Sequence, residues 1–161
     1  MKIERAGLEQ VNQVAPLFDR YRQFYEQPTD EPRCREYLEQ RLSNDESIVF
    51  LATEDTGQPI GFTQLYATFC SVDLITRLVL YDLYVEENVR RRGVARALMD
   101  EALRFARENG YERLTLETAV DNFPGQKLYE KEGWKKDNEF YTYHLSFYMT
   151  VSSQQLGIFH F

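Results

Sequence analysis

The chain has 161 residues, 43% of them hydrophobic and 28% charged, which suits one domain with a buried core and excludes a disordered chain. A net charge of −7 argues against general binding to nucleic acid or anionic membranes, and two cysteines with two histidines are too few for a disulfide framework or a metal centre. No apolar run approaches the ~20 residues of a membrane span, and no apolar secretory signal opens the chain, so we expect a cytoplasmic protein.

The first part of the chain predicts a strand and two helices. Residues 2–6 read as a strand, and apolar residues then recur at helical spacing over about residues 8–26. Asp30 is a candidate cap for a second helix, which has Pro32 in its first turn and runs to about residue 44.

The rest of the chain alternates strands and helices. The predicted elements are strands over residues 48–53, 60–69, 76–85, 113–118, 134–135 and 139–148, and helices over residues 93–109 and 122–132. This order predicts an α/β (α+β) protein with a mixed, mostly antiparallel sheet, helices on both faces, and a central parallel strand pair joined by the helix over 93–109. We expect a single domain over residues 1–150 and a C-terminal tail over residues 151–161.

Four arginines crowd into the turn and helix start after the strand over 76–85, namely Arg90, Arg91, Arg92 and Arg96. The first N–H groups of a helix have no intrahelical partner, and Gly93 allows a ligand to approach the backbone closely. Such a turn can hold a pyrophosphate, although it is neither a Walker loop nor a dinucleotide fingerprint. On charge alone, a solvated turn or a short basic patch remains an open alternative.

Two motifs resemble those of the GCN5-related N-acetyltransferase (GNAT) family. The first is Arg90-x-x-Gly93-x-Ala95 after Asp82-Leu83-Tyr84-Val85, and the second is Asn122-x-x-Gly125-x-x-x-Tyr129-Glu130-Lys131-x-Gly133-Trp134. Both motifs stand in the family's order and spacing, and the predicted elements match the family from residue 1 to about 148. Gly125 replaces the family's usual alanine, which either widens the space beside the cofactor or loosens the first turn of the helix.

The resemblance implies an enzyme that passes the acetyl group of acetyl-coenzyme A directly to a primary amine, without a metal. The backbone of residues 83–85 would pair with the pantetheine arm, Asn122 would hydrogen-bond that arm, and the N–H groups of residues 90–95 would hold the pyrophosphate. The implied cofactor-binding residues are Leu83, Tyr84, Val85, Arg90, Arg91, Arg92, Gly93, Val94, Ala95 and Asn122.

The resemblance also implies a general acid, because Tyr129 matches the family's tyrosine near the thioester sulfur; an ordinary packed tyrosine is the alternative. An alkyl amine of pKa ~10.4 is neutral in only about one molecule in 2,500 at pH 7, so a general base is useful. Some family members use a glutamate, but that place falls near Val79 here. We therefore take Asp82, acting through water, as the candidate base; a carboxylate that only bonds to neighbouring backbone is the alternative.

Acidic and aromatic residues gather at the end of the first helix, where the resemblance places the acceptor pocket. Tyr25, Glu26 and Asp30 lie where this helix breaks, Glu117 lies on a central strand, and Tyr21 is interpreted mainly as core. Such groups suit a cationic acceptor, and we expect a small primary amine, with polyamines, amino acids, amine drugs and protein amines all open.

Two other functions compete with this interpretation. The same fold could bind coenzyme A without turnover, or the arginine run could bind nucleic acid, which the net charge of −7 disfavours. A homodimer is a further expectation, because the apolar and aromatic residues over 140–148 and 158–161 offer an edge strand and an apolar surface.

Overall fold

The structure, a computed structural model, describes residues 1–145. The strands in this range are β1 (Lys2–Ala6), β2 (Ile48–Thr53), β3 (Pro59–Cys70), β4 (Ile75–Val85) and β5 (Arg113–Leu116). The helices are α1 (Val11–Phe24), α2 (Glu31–Ser43), α3 (Val94–Glu108) and α4 (Phe123–Lys131), with short 3-10 turns at Leu8–Gln10 and Glu87–Val89.

The strands form one mixed sheet in the order β1-β2-β3-β4-β5. The pairs from β1 to β4 are antiparallel, whereas β4 and β5 are parallel and are joined by α3. The predicted mixed sheet with one parallel pair is therefore confirmed.

Among the described residues, β4 is paired on both sides, whereas β5 is paired only with β4. The strand predicted at 134–135 is absent, and residues 139–145 form none; the remainder of the strand predicted over 139–148 lies outside the described residues. The Asp137 carboxylate accepts hydrogen bonds from the Glu139 and Phe140 N–H groups, which favours a local turn over a strand ladder. The side chains over 140–145 also bury no apolar face that would stabilise a pleated conformation.

Helices cover both faces of the sheet, as predicted. Against one face α1 and α2 bury a cluster that includes Val14, Phe18, Leu38, Leu51 and Phe62. Against the other face α3 buries Val94, Leu98 and Ala102 on the sheet residues Phe50 and Leu78, among others. The apolar positions of α3 recur every three or four residues, which is why this helix buries one stripe.

Local signals set most helix ends. The Asp30 carboxylate accepts from the Arg33 N–H at 3.1 Å, and the Asn122 side chain accepts from the Gly125 N–H at 3.2 Å, so both predicted caps are confirmed. The first helix is shorter than the predicted span of 8–26, because Leu8–Gln10 is a 3-10 turn and Glu26 turns the chain with φ 59°.

Candidate active site

The turn between β4 and α3 presents a run of backbone N–H groups that have no acceptor within residues 1–145. Gly93, the N-cap of α3, has φ 84° and no side chain to cap the helix. The first backbone hydrogen bond of the helix runs from Ala97 N–H to Gly93 O, and none of the N–H groups of residues 91–96 donates to the part of the chain that the structure describes. Donors that face outward at the positive end of a helix fit the phosphates of coenzyme A.

Arg90 holds this turn against the end of β4. Its Nε donates to Val85 O at 3.0 Å, and its guanidinium lies 5.9 Å from the centre of the Tyr84 ring. Both contacts are with residues that the resemblance assigns to the cofactor site. The contacts of Arg90 therefore shape the turn before any ligand is present.

The other arginines differ in how far their charge is already neutralised. Arg92 pairs with Glu54 at 3.1 Å, and Arg96 pairs with Glu132 at 3.3 Å. Arg91 is exposed, has φ 64°, and makes no ion pair within residues 1–145. Arg91 is thus the guanidinium of this turn that remains available to an anion.

A one-residue bulge in β4 decides which side chains reach the face covered by α1. In the register with β3, Gln64 pairs with Asp82 and Leu65 pairs with Leu80, which leaves Tyr81 without a partner residue. After the bulge the side chains toward α1 are Asp82 and Tyr84, and those toward α3 are Leu83 and Val85. The bulge was not predicted from the sequence, because an alternating pattern does not reveal a register shift.

Asp82 is a buried carboxyl with 5% of its surface exposed. Burial raises the pKa of Asp82 to about 6, against smaller lowering effects from hydrogen bonds with Gln64 and Tyr21. The contact with Gln64 runs from Nε2 to Asp82 Oδ2 at 2.9 Å. At pH 7 such a group is about nine-tenths ionised, so it can accept a proton under ordinary conditions.

Tyrosines surround this carboxyl. The Gln64 Nε2 that binds Asp82 also donates to the Tyr66 hydroxyl at 2.6 Å, and the Tyr66 and Tyr37 hydroxyls are 2.9 Å apart. Tyr21 packs against the core as expected, but burial and then the charge of Asp82 raise its pKa well above the usual range, so it also borders the site. We call Tyr21, Tyr37, Gln64, Tyr66 and Asp82 the Asp82 cluster.

Tyr129 is half-buried on α4, with its ring 6.4 Å from that of Trp134. Burial raises the pKa of Tyr129, the nearby Tyr25 phenol raises it further, and a hydrogen bond with Thr118 opposes both. The Tyr25 ring in turn lies 5.2 Å from the Tyr21 ring. Tyr25 thus contacts the Asp82 cluster through Tyr21, and the raised pKa of Tyr129 keeps its phenol protonated at neutral pH.

Gly125 makes room for the side chain of Asn122. A Cβ at Gly125 would lie 2.5 Å from Asn122 Nδ2, which donates to Thr118 Oγ1 at 2.9 Å. The space over Gly125 is therefore occupied by the Asn122 amide. Asn122 Oδ1 is engaged as the α4 cap.

The predicted acceptor residues divide into groups. Tyr25 is 45% exposed and contacts Tyr21, so it borders the Asp82 cluster. The Asp30 carboxylate is engaged as the cap of α2. Glu26 and Glu117 are exposed, and neither side chain forms an ion pair or hydrogen bond in the region that the structure covers. Among the described residues, neither glutamate side chain forms a hydrogen bond with Tyr25 or Asp82.

A cavity of about 710 Å³ lies between the end of α1 and the end of β4. Arg20 and Glu86 both line it and form an ion pair at 2.5 Å, and the Tyr84 hydroxyl donates to Glu86 at 3.3 Å. The cavity reaches Arg90 in the turn before α3 and Phe24 at the end of α1, but Tyr129 and Asp82 do not line it.

Comparisons with known proteins give one consistent answer. The model of the acetyltransferase (GNAT) family matches residues 13–134. The chain belongs to this family. It is 39% identical to the uncharacterized N-acetyltransferase YhfO of Bacillus subtilis, over 91% of this chain and 97% of that protein. It is 30% identical to a probable acetyltransferase of Haemophilus influenzae, over 84% and 90% of the two chains. A crystal structure of a probable acetyltransferase superposes with a TM-score of 0.86 at 40% identity, and covers 92% of this chain and 99% of its own.

Several polar residues of this acetyltransferase were not identified in the sequence. Gln64, Tyr37 and Tyr66 join the site only because β3, β4 and α2 pack together, and each looks like an ordinary surface or core residue in its local pattern. The alternation of Gln64 and Tyr66 along β3 was the one available signal, since it places both on the same face. Asp19 is a further buried carboxylate that the apolar stripe of α1 conceals.

Two further features concern membrane-spanning helices and metal ligands among the described residues. No helix within the described 145 residues is both long and apolar enough for a bilayer span. In the same range, the His, Cys, Asp and Glu side chains form no group of three or more that could hold a metal ion.

Proposed function

We propose that this GNAT acetyltransferase transfers an acetyl group from acetyl-coenzyme A directly to a small, cationic primary amine. The observation that carries the proposal is the pairing of two features at the end of β4. One is the run of N–H groups at residues 91–96 that find no acceptor among the described residues, and the other is the buried Asp82 carboxyl with its contacts to Gln64 and Tyr21.

Acetyl-coenzyme A would supply a thioester as the acetyl donor. The N–H groups of residues 91–96 and the Arg91 guanidinium are the protein groups that would hold its diphosphate. The backbone of residues 83–85 would bind the pantetheine arm, with Asn122 near it. Close placement of donor and acceptor is expected to supply much of the rate acceleration.

Two side chains would manage protons. Asp82, with a pKa of about 6, would accept the amine proton through water, and Tyr129 would donate its phenolic proton to the departing thiolate. Because the pKa of a phenol, ~10, exceeds that of a thiol, ~8.5, this donation is uphill by about 2 kcal/mol, and the raised pKa of Tyr129 adds to that cost. Tyr25, whose ring contacts Tyr21, would supply an aromatic wall that suits a cationic acceptor.

Assembly and location are also part of the proposal. We propose a cytoplasmic homodimer: the free thiols of Cys34 and Cys70 are consistent with a reducing compartment. Phe140, Tyr141, Tyr143 and Leu145 are each at least 80% exposed, an apolar surface that a second copy could cover. The residues from 146 onward that were expected to join this contact lie outside the described range.

A thiol-release assay over a panel of amines tests the proposed reaction. We expect amine-dependent release of coenzyme A, and acetylated product by mass spectrometry. Tyr129→Phe should lower kcat by about 10²–10⁴, whereas Tyr111→Phe, a matched half-buried tyrosine, should leave it within about twofold. Tight binding of coenzyme A without amine-dependent thiol release would instead support the non-catalytic module.

A further inference from the structure

Asp19 is a buried carboxylate on α1 that takes no part in the proposed reaction. Only 5% of its surface is exposed. Its Oδ2 accepts from Thr29 Oγ1 at 2.6 Å and from Gln23 Nε2 at 2.8 Å, and its Oδ1 accepts from the Asp30 N–H at 2.7 Å. Two of these three donors belong to the segment that connects α1 to α2.

The carboxylate is charged where it lies. Burial opposes ionisation, but the hydrogen bonds from Thr29, Asp30 and Gln23 hold the pKa of Asp19 below its usual value. Arg22, at 3.8 Å, is the nearest cation, and the Cys34 thiol lies 3.8 Å from Oδ1. Hydrogen bonds to a charged acceptor are stronger than those between neutral groups. The hydrogen bonds from Thr29 and Asp30 to the Asp19 carboxylate are therefore well suited to fixing the loop between α1 and α2.

The segment over residues 25–30 is tied down at its two ends by different contacts. Its start follows the helix end, where the Glu26 and Gln27 N–H groups donate to backbone carbonyls of α1. Its end is fixed by Asp19 through Thr29 and Asp30, with a weaker contact from Arg22 to Pro28 O at 3.4 Å. Asp19 therefore determines how the chain crosses from one helix to the next.

The same segment carries Tyr25, whose ring contacts Tyr21 of the Asp82 cluster. The Tyr25 ring contacts the rings of Tyr21 and Phe24, both at 5.2 Å and both on α1. Directly after it, Glu26 has φ 59°, a conformation that a non-glycine residue adopts only when its surroundings require it. A change at the anchored end of the segment would thus be transmitted to the wall of the site.

We propose that Asp19 is a positioning residue for the acceptor: it anchors residues 25–30 so that Tyr25 forms the wall of the acceptor site, and it does so without touching the acceptor. This inference rests on the proposed function. It assigns a role in amine recognition to a side chain that faces the interior, behind the loop.

Kinetic constants for the two substrates separate this role from a general loss of structure. In Asp19→Asn we expect the KM for the amine to rise about tenfold. The KM for acetyl-coenzyme A should stay within about twofold, because residues 90–95, which would hold its diphosphate, lie in the turn between β4 and α3 and at the start of α3. Thr29→Val removes one hydrogen bond and should give a smaller rise in the amine KM, which Thr29→Ser should restore. Asp45→Asn, at an exposed carboxylate after α2, should change neither constant.

Equal rises in both KM values, or a fall in melting temperature with unchanged kinetics, would overturn the proposal. So would a Thr29→Ser enzyme as impaired as Thr29→Val. If the wild type acetylates no amine, the proposed function fails, and the anchoring is then decided by hydrogen exchange. Asp19→Asn should speed exchange of the Asp30 amide while exchange within β2 and β3 is unchanged, and unaltered protection of Asp30 would refute it.

Discussion

Replacing Asp82 by asparagine should stabilise the protein at neutral pH and not at acid pH. Asp82 is buried among uncharged partners, and its pKa rises from 3.8 to about 6. At 1.36 kcal/mol per pKa unit, ionising Asp82 in the folded protein costs about 3 kcal/mol. Asparagine has nearly the same shape, can still accept from Gln64, and carries no charge.

The direction of the pH dependence follows from which state holds the proton. Below pH 3.8 both the folded and the unfolded chain keep Asp82 protonated, so no cost arises. Between 3.8 and about 6 the unfolded chain releases the proton first, and the free energy of unfolding falls as pH rises. Above that range the full cost is present. The advantage of Asp82→Asn should therefore grow by roughly 2 kcal/mol between pH 4 and pH 7.5.

Urea unfolding followed by circular dichroism measures this difference. Wild type and Asp82→Asn are compared at pH 4 and pH 7.5, and the quantity of interest is how their difference in unfolding free energy changes with pH. Asp121→Asn is the matched control, because that carboxylate is exposed and should give no change. An equal difference at both pH values, or a less stable variant at pH 7.5, would refute the reasoning.

Three further predictions concern the site. Gly93→Ala should weaken coenzyme A binding, measured by calorimetry, by about tenfold. Gly57→Ala, at a similar positive φ, should lower the free energy of unfolding by about 1–2 kcal/mol without affecting binding. Equal losses of binding in the two variants would contradict the role of the turn. Arg91→Ala should weaken coenzyme A binding by about three- to tenfold and reduce its salt dependence, while Arg107→Ala, at an exposed site in the last turn of α3, should not. The acidic limb of kcat/KM for the amine should have an apparent pKa of about 6 and should disappear in Asp82→Asn; a retained limb would remove Asp82 as the base.

Features with local signals could be predicted from the sequence. Asp30 and Asn122 cap helices with their own side chains, and Gly93 adopts the positive φ that few other residues tolerate. Strand and helix periods then led to the right order of elements through α4. The two motifs depended on the same local features, which is why the resemblance pointed to the correct family.

Features that depend on long-range packing could not be predicted. The bulge at Tyr81 exists only relative to β3, and it turns Asp82 toward α1. Gln64 and Asp82 are 18 positions apart, and Asp19 meets Thr29 only after the chain has reversed. The strand expected at 134–135 had a suitable composition but has no partner strand among the described residues. Composition alone does not determine whether a segment finds a strand to pair with.

Amide chemical shifts of the isotope-labelled protein during titration with coenzyme A test the central claim most directly. If the N–H groups around Gly93 hold the diphosphate, the largest saturable shifts should fall on residues 91–96, with Asn122 also affected. Absence of saturable shifts would contradict the account. So would shifts concentrated on the residues that line the cavity near Arg20 and Glu86 while the amides of residues 91–96 remain unchanged.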